Sequence, residues 1–187
     1  WKIAPLAYGI GIFLLILVLF FYSRRMAYLN GAKSWFAIGS LSFQPSEVMK
    51  PAFILMMGRV ISQHNSEYPE HTTRSDWLLL GKLFAWTIPV AVLLKLQNDF
   101  GTMLVFFAIL GGMILVSGIT WKIIAPVAGA VTVLGSLAIF LVVYDRTLLE
   151  KIGFQAYQFK RIDSWLDPSG STSGSSYQLW QSMKAIG

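Results

Sequence analysis

The sequence predicts an all-α protein, a polytopic bundle of transmembrane helices followed by a long tail. Composition is the first reason: 55% of the 187 residues are hydrophobic and 13% are charged, whereas a soluble domain has about 25% charged residues. Segment length is the second, because a helix needs about 20 apolar residues to cross the hydrocarbon core of a bilayer. The predicted spans are 3–22, 48–61, 77–96, 100–119 and 123–144, of which 48–61 is short.

The connections between these spans must lie outside the hydrocarbon, because unpaired backbone groups are too costly in lipid. If each segment crosses once, residues 23–47, the turn around Asp99 and the tail from residue 145 fall on one side. With Lys50 and Lys95 at the adjoining span ends included, that side holds ten of the 15 Lys and Arg residues, so the positive-inside rule would place it in the cytoplasm. We expect one membrane domain over residues 1–187, forming an internal part of a longer protein.

The tail, residues 145–187, is predicted to have three parts. Apolar residues recur at nearly helical spacing over 148–166, a pattern typical of a helix that lies in the membrane interface. Residues 167–176 are small and polar, which predicts a flexible loop, and residues 177–187 resume helical spacing as the start of a next helix.

Composition also narrows the chemistry. The chain has no cysteine, which excludes disulfides, thiolate metal sites and a thiol nucleophile. Its net charge of +6 favours anionic lipid or a phosphate-bearing lipid substrate over nucleic acid in a membrane protein. His64 and His71 lie with Glu67 and Glu70 in the predicted polar loop 62–76, but their seven-residue spacing is not a metal-ligand pattern.

Asp99 stands between two predicted spans, just before a helix that Gly101 and Thr102 would open. One interpretation is a capping acid, because a carboxylate is stabilised at a helix N-terminus. The other is functional, a base or a ligand of a phosphate-bound metal. Acids at membrane depth cost about 2.5 to 3.5 kcal/mol on insertion scales and commonly mark function. Both interpretations remain open from the residues alone.

Glu47 and Lys50 stand three residues apart at the start of the second span. On a helix this spacing brings them to one face, where opposite charges can neutralise each other. The alternative is that Lys50 faces inward as a phosphate-binding cation held by Glu47. Ser46 is the predicted N-cap of the helix. Trp35 is interpreted as a residue of the interfacial aromatic belt, because Trp is enriched at membrane–water interfaces.

Three motifs together resemble the SEDS family, the membrane proteins of bacterial shape, elongation, division and sporulation. They are "NGAKSWFAIGSLSFQPSEVMK", "LQNDFGT" and "RIDSWLDP" followed by "YQLWQSMKAIG". They occur in the order and spacing of the family across nearly the whole chain, with the RodA branch most similar and the FtsW branch close behind. The resemblance implies a ten-helix membrane protein of which this chain is the middle.

The resemblance implies a peptidoglycan glycosyltransferase that polymerises lipid II into glycan strands during cell elongation and shape maintenance. It also implies a class B penicillin-binding protein as partner and a location in the bacterial cytoplasmic membrane, among membrane lipids and away from nucleic acid. It places the Trp35 loop, the Asp99 turn and the tail outside the cytoplasm, against the count of positive charges. Two rival functions are a lipid II flippase and a non-catalytic scaffold of the elongation or division machinery.

By their positions in these motifs, four residues match functionally important residues of the family, namely Trp35, Glu47, Lys50 and Asp99. Asp99 is then the expected site carboxylate. Lys50 is an expected diphosphate partner oriented by Glu47, and Trp35 an expected substrate-binding residue. A divalent cation, Mg²⁺ or Mn²⁺, can bridge diphosphate and carboxylate in such a reaction, although nothing in the sequence itself indicates one.

The tail departs from the family's pattern. Family members usually read "D-P-x-x-D-P" in the large loop, and the second Asp is the favoured catalytic carboxylate, but Ser171 stands at that position here. Three explanations are open: Asp167 is the catalytic carboxylate instead, Asp99 is, or the gap in the alignment is misplaced. Arg161, in the same tail, is a further expected partner of the diphosphate.

Overall fold

The computed structural model describes residues 2–24, 27, 32–38, 41–70, 72–144 and 184. Helices dominate, so the predicted all-α class is confirmed, and a short two-stranded hairpin is an addition to it. In chain order the elements are α1 Ile3–Phe21, β1 Phe36–Ile38, β2 Leu41–Phe43, α2 Pro45–Glu67, α3 Thr73–Leu96, α4 Phe100–Val116 and α5 Trp121–Tyr144.

The chain divides into two units, Trp1–Val127 and Ala128–Gly187. The first unit holds α1 to α4, the hairpin and the start of α5. Apart from Lys184, the described part of the second unit is the remainder of α5, whose side chains are mostly apolar and exposed, as on a helix that faces lipid.

Among the described residues, three helices are long and apolar enough to cross a membrane, namely Ile3–Phe21, Thr73–Leu96 and Trp121–Leu141. Helix α4 is equally apolar but has 17 residues. Helix α2 has 23 residues and is more polar, because it ends in the run SQHNSE at 62–67. The exposed outer face of α1, which includes Ile3, Phe13 and Phe20, is the kind of surface that contacts lipid.

Helix α2 continues through residues that the sequence assigns to a polar loop, and hydrogen bonds to other helices explain this difference. The Asn65 amide donates to the carbonyl of Ser117, at a distance of 2.9 Å. The His64 ring nitrogen Nε2 lies 3.0 Å from Ser75 Oγ at the start of α3. These polar side chains therefore find partners inside the bundle instead of in water.

The core of the first unit contains residues of all its helices, and α1 and α2 pack closely within it. Leu15 and Val18 of α1 are fully buried, as are Met49 and Phe53 of α2. Gly11 lets the two helices approach closely, because a Cβ atom at this position would overlap the Met49 sulfur. Substitution of Gly11 by a larger residue must therefore displace Met49.

Aromatic pairs join the other helices to this core. The Tyr8 hydroxyl of α1 donates to the carbonyl of Trp86 in α3 at 2.6 Å, and the two rings meet edge to face with centroids 5.2 Å apart. Phe53 of α2 and Phe106 of α4 form a second edge-to-face pair, also 5.2 Å apart. Edge-to-face pairs each contribute about 0.5 to 1.5 kcal/mol beyond the area they bury.

The hairpin leads directly into α2. Its strands pair antiparallel with Phe36 opposite Phe43. Since β2 ends at Phe43 and α2 begins at Pro45, one residue, Gln44, connects the strand to the helix. The hairpin therefore fixes the direction in which the chain reaches Gln44.

Candidate functional site

The turn between α3 and α4 presents Asp99 at the start of α4. Asn98 has a positive φ of 57°, a conformation that Asn adopts more readily than most residues, and it lies in the three-residue turn between Leu96 and Phe100. Asp99 is the N-cap of α4, and its Oδ1 accepts the backbone N–H of Thr102 at 3.2 Å. The capping interpretation of Asp99 is thus confirmed.

Asp99 makes a second contact that the sequence did not predict. The Gln44 amide nitrogen donates to Asp99 Oδ2 at 3.0 Å and lies 3.4 Å from Thr102 Oγ1. Gln44 is itself the N-cap residue of α2, so this contact joins the N-termini of α2 and α4. Asp99, which is 8% exposed, thus lies at the positive end of the α4 dipole and is linked by Gln44 to the N-terminus of α2.

Capping does not use all of the hydrogen-bonding capacity of Asp99. An ionised carboxylate offers about four lone-pair sites, and the described contacts occupy one on each oxygen. Each oxygen can therefore accept another hydrogen bond or a proton without losing its present partner. The cap and a chemical role are compatible in this geometry.

Glu47 and Lys50 form an ion pair on the first turns of α2. Lys50 Nζ lies 2.8 Å from Glu47 Oε1 and 2.9 Å from Oε2, which confirms the self-neutralising interpretation as a geometry. Glu47 is 58% exposed and Lys50 26% exposed, so the pair lies at the surface of the described residues. An exposed pair of this kind contributes little to stability. Either side chain can therefore exchange this contact for another partner at little cost in free energy.

Ser46 is not the N-cap of α2, and that prediction is wrong. Pro45 occupies the first helical turn, where its missing N–H costs nothing, so the helix begins before Ser46 and Gln44 becomes the cap residue. Ser46 is then buried within the first turn of the helix.

The segment around Trp35 is tied by its backbone to the turn that carries Asp99. The Lys33 N–H donates to the carbonyl of Gln97 at 2.8 Å, and the Ser23 N–H donates to the carbonyl of Trp35 at 2.9 Å. Gln97 is fully buried and donates from its side chain to the Leu15 carbonyl of α1 at 3.0 Å. The Trp35 segment, α1 and the Asp99 turn are thus held together, with Trp35 half-buried.

The predicted site residues Arg161 and Asp167 lie outside the described residues. So does Ser171, which stands where the family usually has an Asp. Within the described part of the chain, no three His, Asp or Glu side chains are grouped as metal ligands. The described residues therefore offer no cation site made of protein ligands alone, and no step of the reaction proposed below runs through a divalent cation.

Sequence reasoning missed Gln44 and Gln97 as members of the site. Both occur in the quoted motifs, in which the predicted site residues are mainly charged. The available signal was an amide side chain beside an apolar segment, because buried amides require hydrogen-bond partners. Gln44 contacts Asp99 and Gln97 contacts Leu15. These partners are distant in sequence, so the sequence could not predict which residues would pair.

A second polar cluster lies between the end of α2 and the start of α3, beyond the apolar segment 48–61. His64 is 1% exposed, and its Nδ1 lies 3.3 Å from Lys82 Nζ, which can only donate. Burial, followed by the Lys82 cation, lowers the pKa of His64 below its ordinary 6.5, despite opposing effects of Ser75 and of the nearby carboxylates. His64 is therefore neutral, with Nε2–H donating to Ser75.

Asp76 belongs to the same end of the first unit. It is fully buried, and its Oδ2 accepts the N–H of Thr120 at 3.0 Å and the Thr120 hydroxyl at 2.8 Å. These bonds join the start of α3 to the turn before α5. Asp76 thus has a structural role and provides a comparison for Asp99.

Comparison with known proteins decides the family. The family FtsW/RodA/SpoVE, described as cell cycle protein, matches residues 1–187. The chain belongs to this family. The resemblance to SEDS proteins is therefore confirmed, and the relatives include both FtsW and RodA proteins.

Family members of known sequence or structure are similar over most of the chain. A probable peptidoglycan glycosyltransferase FtsW of Marinobacter nauticus is 32% identical over 179 residues, which cover 96% of this chain and 40% of that protein. A probable peptidoglycan glycosyltransferase FtsW of Hydrogenovibrio crunogenus is 29% identical over 95% of this chain. The chain spans 40% of the length of these two curated relatives.

Two solved structures share the fold. The crystal structure of the Thermus thermophilus rod shape determining protein RodA matches with a TM-score of 0.53 and 29% identity, covering 71% of this chain and 40% of that one. A chain from a peptidoglycan synthase complex, solved for the structural coordination of polymerization and crosslinking, matches with a TM-score of 0.63 and 29% identity. That match covers 100% of this chain and 48% of the other. The protein is accordingly a membrane protein of the SEDS fold.

Proposed function

We propose that this protein is part of a peptidoglycan glycosyltransferase that polymerises lipid II into glycan strands during cell elongation and shape maintenance. The observation that carries the proposal is the position of Asp99, a nearly buried carboxylate at the N-terminus of α4 that the Gln44 side chain links to the N-terminus of α2. The curated relatives described as probable peptidoglycan glycosyltransferases support it.

The proposed reaction transfers the growing glycan from its undecaprenyl diphosphate carrier to the 4-hydroxyl of the next lipid II. A bond forms from that oxygen to the anomeric carbon with inversion, and the bond from the anomeric carbon to the diphosphate breaks. A base must take the hydroxyl proton, and positive charge must stabilise the departing diphosphate.

Asp99 is the proposed carboxylate of this site. Its two described hydrogen bonds hold it in one orientation, and the remaining lone pairs can accept the hydroxyl proton. Asp167 in the tail is the proposed second carboxylate. It provides the acid that the family pattern would otherwise have at Ser171.

Lys50 is the proposed partner of the diphosphate. Its ammonium group has three N–H donors and contacts Glu47 with at most two of them, so a phosphate oxygen can bind the third. Glu47 holds the ammonium group close to the first turn of α2, where the helix dipole also favours an anion. Arg161 is proposed as a further cation for the diphosphate, and Trp35 as a surface for the sugar or lipid.

The proposed partner is a class B penicillin-binding protein, which would crosslink the strands that this protein makes. The similarity to a chain of a peptidoglycan synthase complex supports a partner of this kind. The proposed location is the bacterial cytoplasmic membrane, with Asp99 on its outer face. Single cysteines at Ser42 and Glu70, exposed positions in a chain without cysteine, test this orientation. An impermeant thiol reagent added to whole cells should label only Ser42→Cys.

Polymerisation of purified lipid II by the full-length protein with its partner tests the proposed function. The wild type should form glycan strands, and Asp99→Asn should abolish them, because the amide cannot take a proton. Asp76→Asn is the matched control, since it changes another buried acid in a structural position. Strands made at the wild-type rate by Asp99→Asn would contradict the assignment of Asp99.

The same preparations separate the rival functions. A flippase would move labelled lipid II across vesicle membranes without forming strands. A scaffold would do neither, and cells carrying Asp99→Asn would grow normally. Strand formation by the wild type excludes a function limited to either rival.

A further inference from the structure

Gln44 has an unusual position in the first unit, because its side chain reaches from the cap of one helix to the cap of another. Its amide nitrogen contacts Asp99 Oδ2 at 3.0 Å and lies 3.4 Å from Thr102 Oγ1. An ionised carboxylate only accepts hydrogen bonds. The NH₂ group must therefore face Asp99, which fixes the orientation of the amide.

The two hydrogen bonds of Asp99 have different consequences. The bond from the Thr102 N–H to Oδ1 secures the cap but leaves the plane of the carboxylate free to turn, because the terminal torsion of Asp is broad. The bond from Gln44 to Oδ2 fixes that plane. Gln44 therefore determines where the unused lone pairs of Asp99 point.

The backbone of Gln44 is itself fixed by its neighbours. The residue before a proline is restricted to extended conformations, and Gln44 precedes Pro45 with φ of −108° and ψ of 111°. On its other side, strand β2 ends at Phe43. The side chain thus starts from a well-defined position, as a residue that orients another requires.

We propose that Gln44 is a positioning residue of the glycosyltransferase, which holds the Asp99 carboxylate in the orientation that accepts the proton of the substrate hydroxyl. This inference rests on the proposed function. Gln44 does not touch the reacting atoms and acts through Asp99. Its loss should therefore lower kcat and leave KM for lipid II nearly unchanged.

The first test compares Gln44→Met with Asn65→Leu in the full-length protein with its partner. Each change replaces a side-chain amide by an apolar side chain of similar size: Gln44→Met removes the hydrogen bonds to Asp99 and Thr102, and Asn65→Leu removes the bond to the Ser117 carbonyl. Gln44→Met should lower kcat about tenfold or more, because misplaced catalytic groups are costly, with KM changed less than about twofold. Asn65→Leu should keep kcat within about twofold of wild type.

The second test uses Gln44→Glu, which keeps the size of the side chain and replaces the donor by a carboxyl group. When ionised, the new carboxylate repels Asp99, whereas the protonated form donates to it. Activity relative to wild type should therefore be low at about pH 8 and should recover toward about pH 5.5. A side chain that merely links two helices would give no such recovery.

The outcomes separate this inference from the proposed function. If the wild type forms no strands, the proposed function fails. If the wild type forms strands and Asp99→Asn does not, the inference still fails in two cases: Gln44→Met keeps its kcat, or Asn65→Leu loses as much. If Gln44→Met does not fold, Gln44→Glu decides, and an equal fraction of wild-type activity at every pH overturns the inference.

Discussion

Asp99 has a structural and a chemical role in this account, and two substitutions separate them. Asp99→Ala removes both the cap of α4 and the acceptor for Gln44. Asp99→Asn keeps an oxygen that can accept the Thr102 N–H, and Asn is as good an N-cap as Asp. The two variants should therefore be equally inactive but differ in stability.

The size of that difference follows from the contacts. Loss of an N-cap costs about 1 kcal/mol, and loss of a hydrogen bond to a charged group costs about 1.5 to 3 kcal/mol. Gln44 is half-buried, so water can replace part of its lost bond and the lower value applies. We expect Asp99→Ala to lower the free energy of unfolding by about 2 to 3 kcal/mol, and Asp99→Asn by less than about 1 kcal/mol.

The assay is thermal unfolding of the full-length protein in detergent, together with lipid II polymerisation. Because a loss of stability lowers the unfolding midpoint, Asp99→Ala should unfold at a lower temperature than Asp99→Asn. Equal stability of the two variants would refute the capping geometry. Strand formation by Asp99→Ala would refute the chemical role.

Three other predictions concern helix packing, charge and pH. Gly11→Leu should lower stability by about 1 to 3 kcal/mol through overpacking against Met49, whereas Gly9→Leu, which meets nothing within 4 Å, should leave the thermal midpoint unchanged; equal effects would contradict the packing. Lys50→Ala should weaken lipid II binding about tenfold, while Lys122→Ala, an exposed lysine on the other predicted side, should not; unchanged binding by folded Lys50→Ala would count against the cation. Because the pKa of His64 is lowered, the unfolded state binds more protons than the folded state below about pH 6.5, and stability falls there as pH is lowered. His64→Gln should therefore flatten the dependence of the unfolding midpoint on pH. A pH profile like that of wild type would contradict the assignment of this dependence to His64.

The apolar segments made the helices predictable, whereas contacts between distant residues were not. Length and hydrophobicity are local properties, so α1 and α3 could be read directly from the chain. The bond between Gln44 and Asp99 joins residues 55 positions apart, and no local pattern states which amide meets which acid. The sequence therefore indicated Asp99 as important but gave no reason for its orientation.

The local errors have local causes. Ser46 has a residue type that is common at the N-cap. The helix nevertheless begins one residue earlier, at Pro45, so Gln44 occupies the cap position. The polar run at 62–67 suggested a loop, yet His64 and Asn65 find partners on α3 and the turn after α4. In both places a neighbouring contact outweighed the preference of the residue.

The central claim is that Asp99 takes part in joining lipid II units into glycan strands. Its most direct test is the strand-forming rate of the full-length protein with its partner, measured on purified lipid II for wild type, Asp99→Asn and Asp76→Asn. The account predicts strands from wild type and Asp76→Asn and none from folded Asp99→Asn. Strands from Asp99→Asn at the wild-type rate would contradict it.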